Sequence, residues 1–228
     1  YKRQPVNIVL PAGYSEDEEY PVLYVLHGIF CDENTMMDSN STHIIIGNMM
    51  DEGIAKDMII VFPYMYASKT QDECTAIDLE NVAAYDNFLN DLVTDLMPFM
   101  AENYSVAEGK KNTAVLGFSM GGRESLYIGF SRPDLFGYVG AMCPAPGLTT
   151  DLLSYSELKF DEIKPYLLMV SAGSNDQIVW STPVEYHEAM LKNDTNHIWH
   201  YVSGGDHGGY TIRPHMYNFV RAVFKIAE

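Results

Sequence analysis

The chain has 228 residues, 47% of them hydrophobic and 20% charged, enough for one large core and too apolar for a disordered chain. Its 31 acidic against 14 basic residues give a net charge of −17, which argues against a nucleic-acid partner, because phosphates are held by clustered Lys and Arg. No apolar run approaches the roughly 20 residues of a membrane span, so no membrane partner is expected.

The acidic surface is read as favouring solubility; the sharper reading is an extracellular protein working near neutral sugars, with a cytoplasmic one as the alternative. The chain opens Tyr1-Lys-Arg, without a Met or a signal-peptide pattern, so a processed protein or a module of a longer one is expected. Without repeats or long linkers, residues 1–228 are read as a single α/β domain.

In chain order, Pro5–Leu10 is predicted as an edge strand leading into the Pro11-Ala-Gly-Tyr14 turn. Val22–Leu26, Met58–Phe62, Thr113–Leu116, Tyr138–Met142, Tyr166–Ser171 and His200–Val202 have the uniform apolar character of strands buried on both faces. Helices are predicted at Thr42–Glu52, Asn81–Asn103, Arg123–Phe130, Thr182–Lys192 and Pro214–Ala227. The second carries Val82, Tyr85, Leu89, Leu92, Val93, Leu96 and Met100 on one stripe, with Pro98 expected to kink it or mark its last turns. Pro214 is expected in the first turn of the last helix. Alternation of strands and helices implies an α/β fold: a mainly parallel central sheet with helices on both faces and its site beyond the strands' carboxyl ends.

The motif that carries chemistry is Gly117-Phe-Ser-Met-Gly121. Gly-x-Ser-x-Gly between a strand and a helix is a tight turn that lifts a serine hydroxyl clear of the sheet. Ser119 is therefore the candidate nucleophile, and it needs a base and a group to orient that base. On such folds the order is Ser, acid, His. His207 follows the last strand in Ser203-Gly-Gly-Asp-His-Gly-Gly209 and is the preferred base, with His215 second. His187 lies mid-helix, and His197 and His200 lie at the wrong end of their strand. Asp176, after the strand Tyr166–Ser171, is preferred as the acid over Asp206, whose side chain is adjacent to His207 in the chain. Backbone amides of Met120 and Ile29 are the expected oxyanion donors. His27 is read as a structural residue of the same turn.

No His-Glu-x-x-His, phosphate loop or dinucleotide fingerprint occurs, and His197-x-x-His200 lacks carboxylate support, so neither metal nor cofactor is expected. Of Cys31, Cys74 and Cys143, the first two lie in predicted loops and could pair.

These motifs resemble the esterase D-like branch of the α/β-hydrolases, and within it carbohydrate esterase family 1, the feruloyl and acetylxylan esterases attached to bacterial xylanases. The resemblance rests on Pro5–Tyr14, Tyr20–Gly28, Gly117–Gly122, Gly173-Ser-Asn-Asp176 and Gly204-Gly-Asp-His207. The chain departs from it with Phe30-Cys31 after the oxyanion turn and with Asp206 before the histidine. The resemblance implies serine hydrolysis of a ferulate or acetate ester on xylan-type polysaccharide, or of a small-molecule ester, by a module of a polysaccharide-degrading protein. It also directs attention to Phe30, Leu148 and Trp180 as substrate contacts. The alternatives are a general short-chain esterase, a thioesterase similar to S-formylglutathione hydrolase, or an inactive sugar-binding relative. Activity is expected to fall as His207 takes up a proton.

Overall fold

Seven stretches rich in Val, Ile, Leu and aromatic residues form one sheet: β1 (Val6–Val9), β2 (Val22–Leu26), β3 (Ile59–Pro63), β4 (Thr113–Phe118), β5 (Tyr138–Met142), β6 (Leu167–Gly173) and β7 (Ile198–Val202). In this computed structural model, which describes residues 4–147 and 158–225, their order is β1-β3-β2-β4-β5-β6-β7. β1 runs antiparallel to β3, with Val6 opposite Pro63; the other pairings are parallel. After β3 the chain crosses to the far side of β2 to lay down β4, and this reversal opens a crevice beyond the carboxyl ends of the neighbouring strands.

Successive side chains point to opposite faces of the sheet, so each strand supplies two layers. One face, with Tyr24, Leu26, Val115 and Val170, packs against Val82, Tyr85, Leu126 and Tyr186. These come from α3 (Leu79–Asp86), α6 (Met120–Ser131) and α7 (Thr182–Lys192). The other face, with Leu23, Val25, Leu116 and Met169, packs against Ile46, Met49, Ile212, Met216 and Phe219, from α2 (Thr42–Asp51) and α8 (Gly209–Ala222). Each such fully buried aliphatic or aromatic side chain contributes roughly 1.5–3 kcal/mol relative to exposure.

The helix expected over Asn81–Asn103 is broken. Asp78 starts α3 by accepting the Asn81 amide at 2.9 Å, and α4 (Phe88–Asp91) is followed by a π-turn at Leu92–Leu96 and by α5 (Met97–Asn103). The widened turn precedes Pro98, which lacks the amide for the i−4 carbonyl, while Thr94 Oγ1 donates back to Asn90 O at 2.8 Å. The last helix begins at Gly209, so Pro214 lies inside it and not in its first turn. Its missing amide frees the carbonyl of Tyr210, an exposed residue whose backbone can turn to solvent. Strand β7 starts two residues before the predicted His200, and a short α1 (Thr35–Asp38) precedes α2.

Candidate active site

The turn at Ser119 depends on two glycines. A Cβ on Gly117 would lie 2.0 Å from the Gly121 carbonyl oxygen, and one on Gly121 would lie 2.5 Å from the carbonyl oxygens of Leu26 and His27. Any side chain at either position would force strand and helix apart. Ser119 itself has φ +56° and ψ −114°, a conformation that costs on the order of 1–3 kcal/mol and survives only when its surroundings impose it. They do so here: Ser119 N donates to Met142 O at 2.9 Å, and Ser119 O accepts from Ala145 N at 2.9 Å.

Phe30, Ser119, Cys143 and Trp180 all have positive φ without being glycine. Ser41, Asp194 and Phe224 have positive φ elsewhere, while these four lie on the connections that follow β2, β4, β5 and β6.

Asp176 and His207 meet at the same end of the sheet. His207 Nδ1 donates to Asp176 Oδ2 at 2.7 Å, and Asp176 Oδ1 accepts the amides of Ile178 at 2.9 Å and Val179 at 3.1 Å. The Asp176 side chain is 1% exposed and that of His207 11%. The carboxylate thus fixes both ring orientation and tautomer, leaving Nε2 with its lone pair and, among the described residues, no hydrogen-bond partner. Phe118, next to Ser119 in the chain, packs against the His207 ring with centroids 4.6 Å apart and the rings tilted by 39°. The structure therefore joins the predicted acid and base directly and sets both beside the serine turn. Among the described residues no hydrogen bond joins Ser119 to His207.

The runners-up separate clearly. His215 is fully buried on α8, stacked 5.9 Å from His200, and burial pushes it down to about 3. Asp206 makes no bond to His207; its carbonyl accepts from Thr211 Oγ1 at 2.6 Å. His187 and His197 bond one another at 2.7 Å.

Of the expected oxyanion donors, Met120 N–H opens α6, where an amide has no intrahelical acceptor. Ile29 N–H lies in the turn after β2. Among the described residues, no hydrogen bond engages either amide. The Ile29 turn is held from both sides. His27 Nδ1 donates to Gly28 O at 2.7 Å and Nε2 accepts Met65 N–H at 3.0 Å, while Phe30 N–H donates to Tyr85 Oη at 3.3 Å. With both nitrogens engaged, the ring is neutral by construction, and burial holds it down to about 4. This agrees with a structural role for His27.

Beneath the turn, Arg123 is fully buried and pairs with Asp86 of α3 and with its neighbour Glu124. Desolvation pushes the fully buried Glu124 well upward, with Arg123 opposing the shift and the Asp86 charge adding to it. Sequence reasoning gave this cluster no place. It pins α6, and hence Ser119, to α3.

Trp180 and Phe30 are 69% and 54% exposed at this end of the sheet; Leu148 lies outside the described residues. Cys31, Cys74 and Cys143 are all free thiols, so Cys31 and Cys74 do not pair. The thiol of Cys143, Asp176 and His207 bring their polar atoms within 4.8 Å of one another, a proximity the sequence did not suggest. An apolar hollow of about 470 Å³ lies elsewhere, between Val6, Tyr64, Phe88, Leu96 and Phe99.

Residues 2–216 match the model of the Esterase family, described as "Putative esterase". The structure superposes with a TM-score of 0.92 on the CE1 ferulic acid esterase of Anaeromyces mucronatus, solved in complex with ferulic acid, at 43% identity over 98% of this chain and 86% of that one. The chain belongs to carbohydrate esterase family 1. This family 1 esterase accordingly has the α/β-hydrolase fold. It is also similar to the endo-1,4-beta-xylanase/feruloyl esterase of Xylanibacter ruminicola, 31% identical over 62% of this chain, and to endo-1,4-beta-xylanase Y of Acetivibrio thermocellus, 26% identical over 62%. These matches span 19% and 13% of the two longer proteins. Among the described residues, no helix is long and apolar enough to cross a membrane.

Proposed function

We propose that this family 1 esterase is a serine feruloyl esterase that cleaves hydroxycinnamoyl esters from xylan-type polysaccharide, with Ser119 as nucleophile, His207 as base and Asp176 as the orienting acid. The observation that carries this reading is the Asp176–His207 bond beside the strained Ser119 turn, in a chain 43% identical to an esterase solved with ferulic acid.

His207 Nε2 takes the Ser119 proton as Oγ attacks the ester carbonyl. The oxygen of the tetrahedral intermediate gains charge and is met by the amides of Ile29 and Met120. As the intermediate collapses, the imidazolium returns the proton to the sugar oxygen, which departs as an alcohol. A water then repeats the sequence on the acyl-serine and releases the carboxylic acid. Trp180 and Phe30, aromatic and exposed at the mouth, are the proposed walls for the phenyl ring. Work on plant cell walls would place the domain outside the cell, as one module among polysaccharide-degrading partners, much as the Xylanibacter ruminicola endo-1,4-beta-xylanase/feruloyl esterase combines two such activities.

The test is hydrolysis of methyl ferulate, acetylated xylan and nitrophenyl acetate by the wild type and by Ser119→Ala. The expected result is strong preference for the ferulate ester and loss of all three activities in the variant. Preference for acetate esters would move the assignment to acetylxylan or short-chain substrates. Activity retained in Ser119→Ala would overturn the mechanism.

A further inference from the structure

We propose that Cys143 is a fourth member of the hydrogen-bonded chain, a positioning residue whose thiol donates to Asp176 Oδ2 and so sets the basicity of His207. This rests on the triad reading above.

A carboxylate has about four lone-pair positions to fill when it is buried. Three of those on Asp176 are taken: Oδ1 by two backbone amides and Oδ2 by His207 Nδ1. The remaining one belongs to Oδ2. The Cys143 sulfur lies within 4.8 Å of a carboxylate oxygen of Asp176 and of a ring nitrogen of His207. The Cys143 thiol, which also lies beside the Ser171 hydroxyl, carries an S–H to offer that position.

The backbone is arranged to put it there. Cys143 immediately follows β5 and has φ +45°, which a residue with a Cβ adopts only under constraint. Its amide continues the sheet to Ser171 O at 3.1 Å, while the preceding carbonyl, Met142 O, receives Ser119 N. The backbone that carries the thiol is therefore tied to β6 on one side and to the nucleophile's turn on the other. Its surroundings are dry. Cys143 is fully buried and packs with Ala145, Val179 and Phe118, so a weak S–H donor counts for more than it would in water. In accord with donation, desolvation first and the Asp176 charge second hold the thiol protonated, pushed up to about 12.

The consequence concerns charge on Asp176. Each donor spreads the carboxylate's negative charge; removing one concentrates it toward His207 and stabilises the imidazolium. Of the charged groups on the same loop and the start of α8, the Asp206 carboxylate lies beside Gly208 and the Arg213 guanidinium beside Gly209. Neither changes when Cys143 is replaced.

The experiment compares pH–rate profiles of kcat/KM on methyl ferulate for wild type, Cys143→Ala and Cys143→Ser. Loss of the donor should move the acid limb of Cys143→Ala to higher pH by about half a unit, a shift typical of one weak hydrogen bond to a charged group. Cys143→Ser keeps a donor and should restore the wild-type limb. A purely packing role would instead lower kcat/KM alike at every pH, with Ser no better than Ala. An acid limb unchanged in Cys143→Ala, or moved equally in both variants, overturns the proposal. Failure of the triad reading is distinguishable, because His207→Ala would then retain activity whatever Cys143 does.

Discussion

The loop after β7 and the buried face of α8 each hold a histidine, and the fold treats the two rings in opposite ways. His207 has one nitrogen bonded to Asp176 and the other unengaged beside the serine turn. His215 is fully buried, and neither of its nitrogens has a partner among the described residues. Both follow Ser119 in the chain, so order alone does not choose between them. A histidine acts as a base when one nitrogen is oriented and the other faces the place where a proton is to be taken. Complete burial gives neither; it holds the ring neutral and leaves polar atoms unmatched.

The contrast is broken most severely by removing the chemistry on one side only. Ser119→Ala and His207→Ala should each lower kcat/KM on methyl ferulate by about 10⁴- to 10⁶-fold, with thermal midpoints close to wild type. His215→Leu should leave kcat/KM within a few-fold. Equal losses in His207→Ala and His215→Leu would erase the distinction.

A smaller effect tests the turn opposite the base. Ile29→Pro deletes one amide proton, and Gly28 before it tolerates the restriction that proline imposes on its predecessor. Removing one oxyanion donor costs about 10²- to 10³-fold in kcat. If kcat fell less than threefold while the fold was retained, Ile29 would not be a donor.

How far the sequence reached follows the range of the interactions involved. The strands, the Ser119 turn and its two glycines are set by neighbouring residues, and all were legible from apolar runs and one motif. The pairing of Asp176 with His207 was legible because the topology sends strand ends to one crevice. The broken helix after Asp78 was hidden by a continuous apolar stripe, although Pro98 and Thr94 marked the place. The α8 start was masked by Pro214, which looks like a first-turn residue and is not one. Cys143 and the Arg123–Asp86–Glu124 cluster depend on partners far along the chain, so local pattern gave no sign of them. The one available hint was a cysteine directly after a strand, at the end where sites form.

Acidification should separate the two regions thermodynamically. His27, down to about 4, and His215, down to about 3, stay neutral in the fold while the unfolded chain takes protons near the ordinary value of 6.5. Stability is thus unaffected by these rings above that value and is lost as pH falls below it. The slope is about 1.4 kcal/mol per pH unit for each ring. Glu124, pushed upward, acts with the opposite sign, since the fold retains a proton that the unfolded chain releases. Two rings against one carboxyl leave a net loss on going from pH 6.5 toward 4.5, measurable as a falling urea midpoint.

The smallest effect isolates His215 alone. Replacing it with Leu removes two buried polar atoms without partners among the described residues and keeps most of the side-chain volume. At pH 7 the ring is neutral in the fold and mostly neutral in the unfolded chain, so proton linkage contributes only about 0.2 kcal/mol and the desolvation cost dominates. Relief of that cost should raise stability by about 1 kcal/mol. Below pH 6.5 the variant should also lose stability less steeply than wild type, by about one proton's slope. Urea titrations of the two proteins at pH 7 and pH 5 read both numbers. A variant that is less stable at pH 7 and equally steep in acid would mean that His215 is bonded in solution. The two histidines would then differ in partner and not in kind.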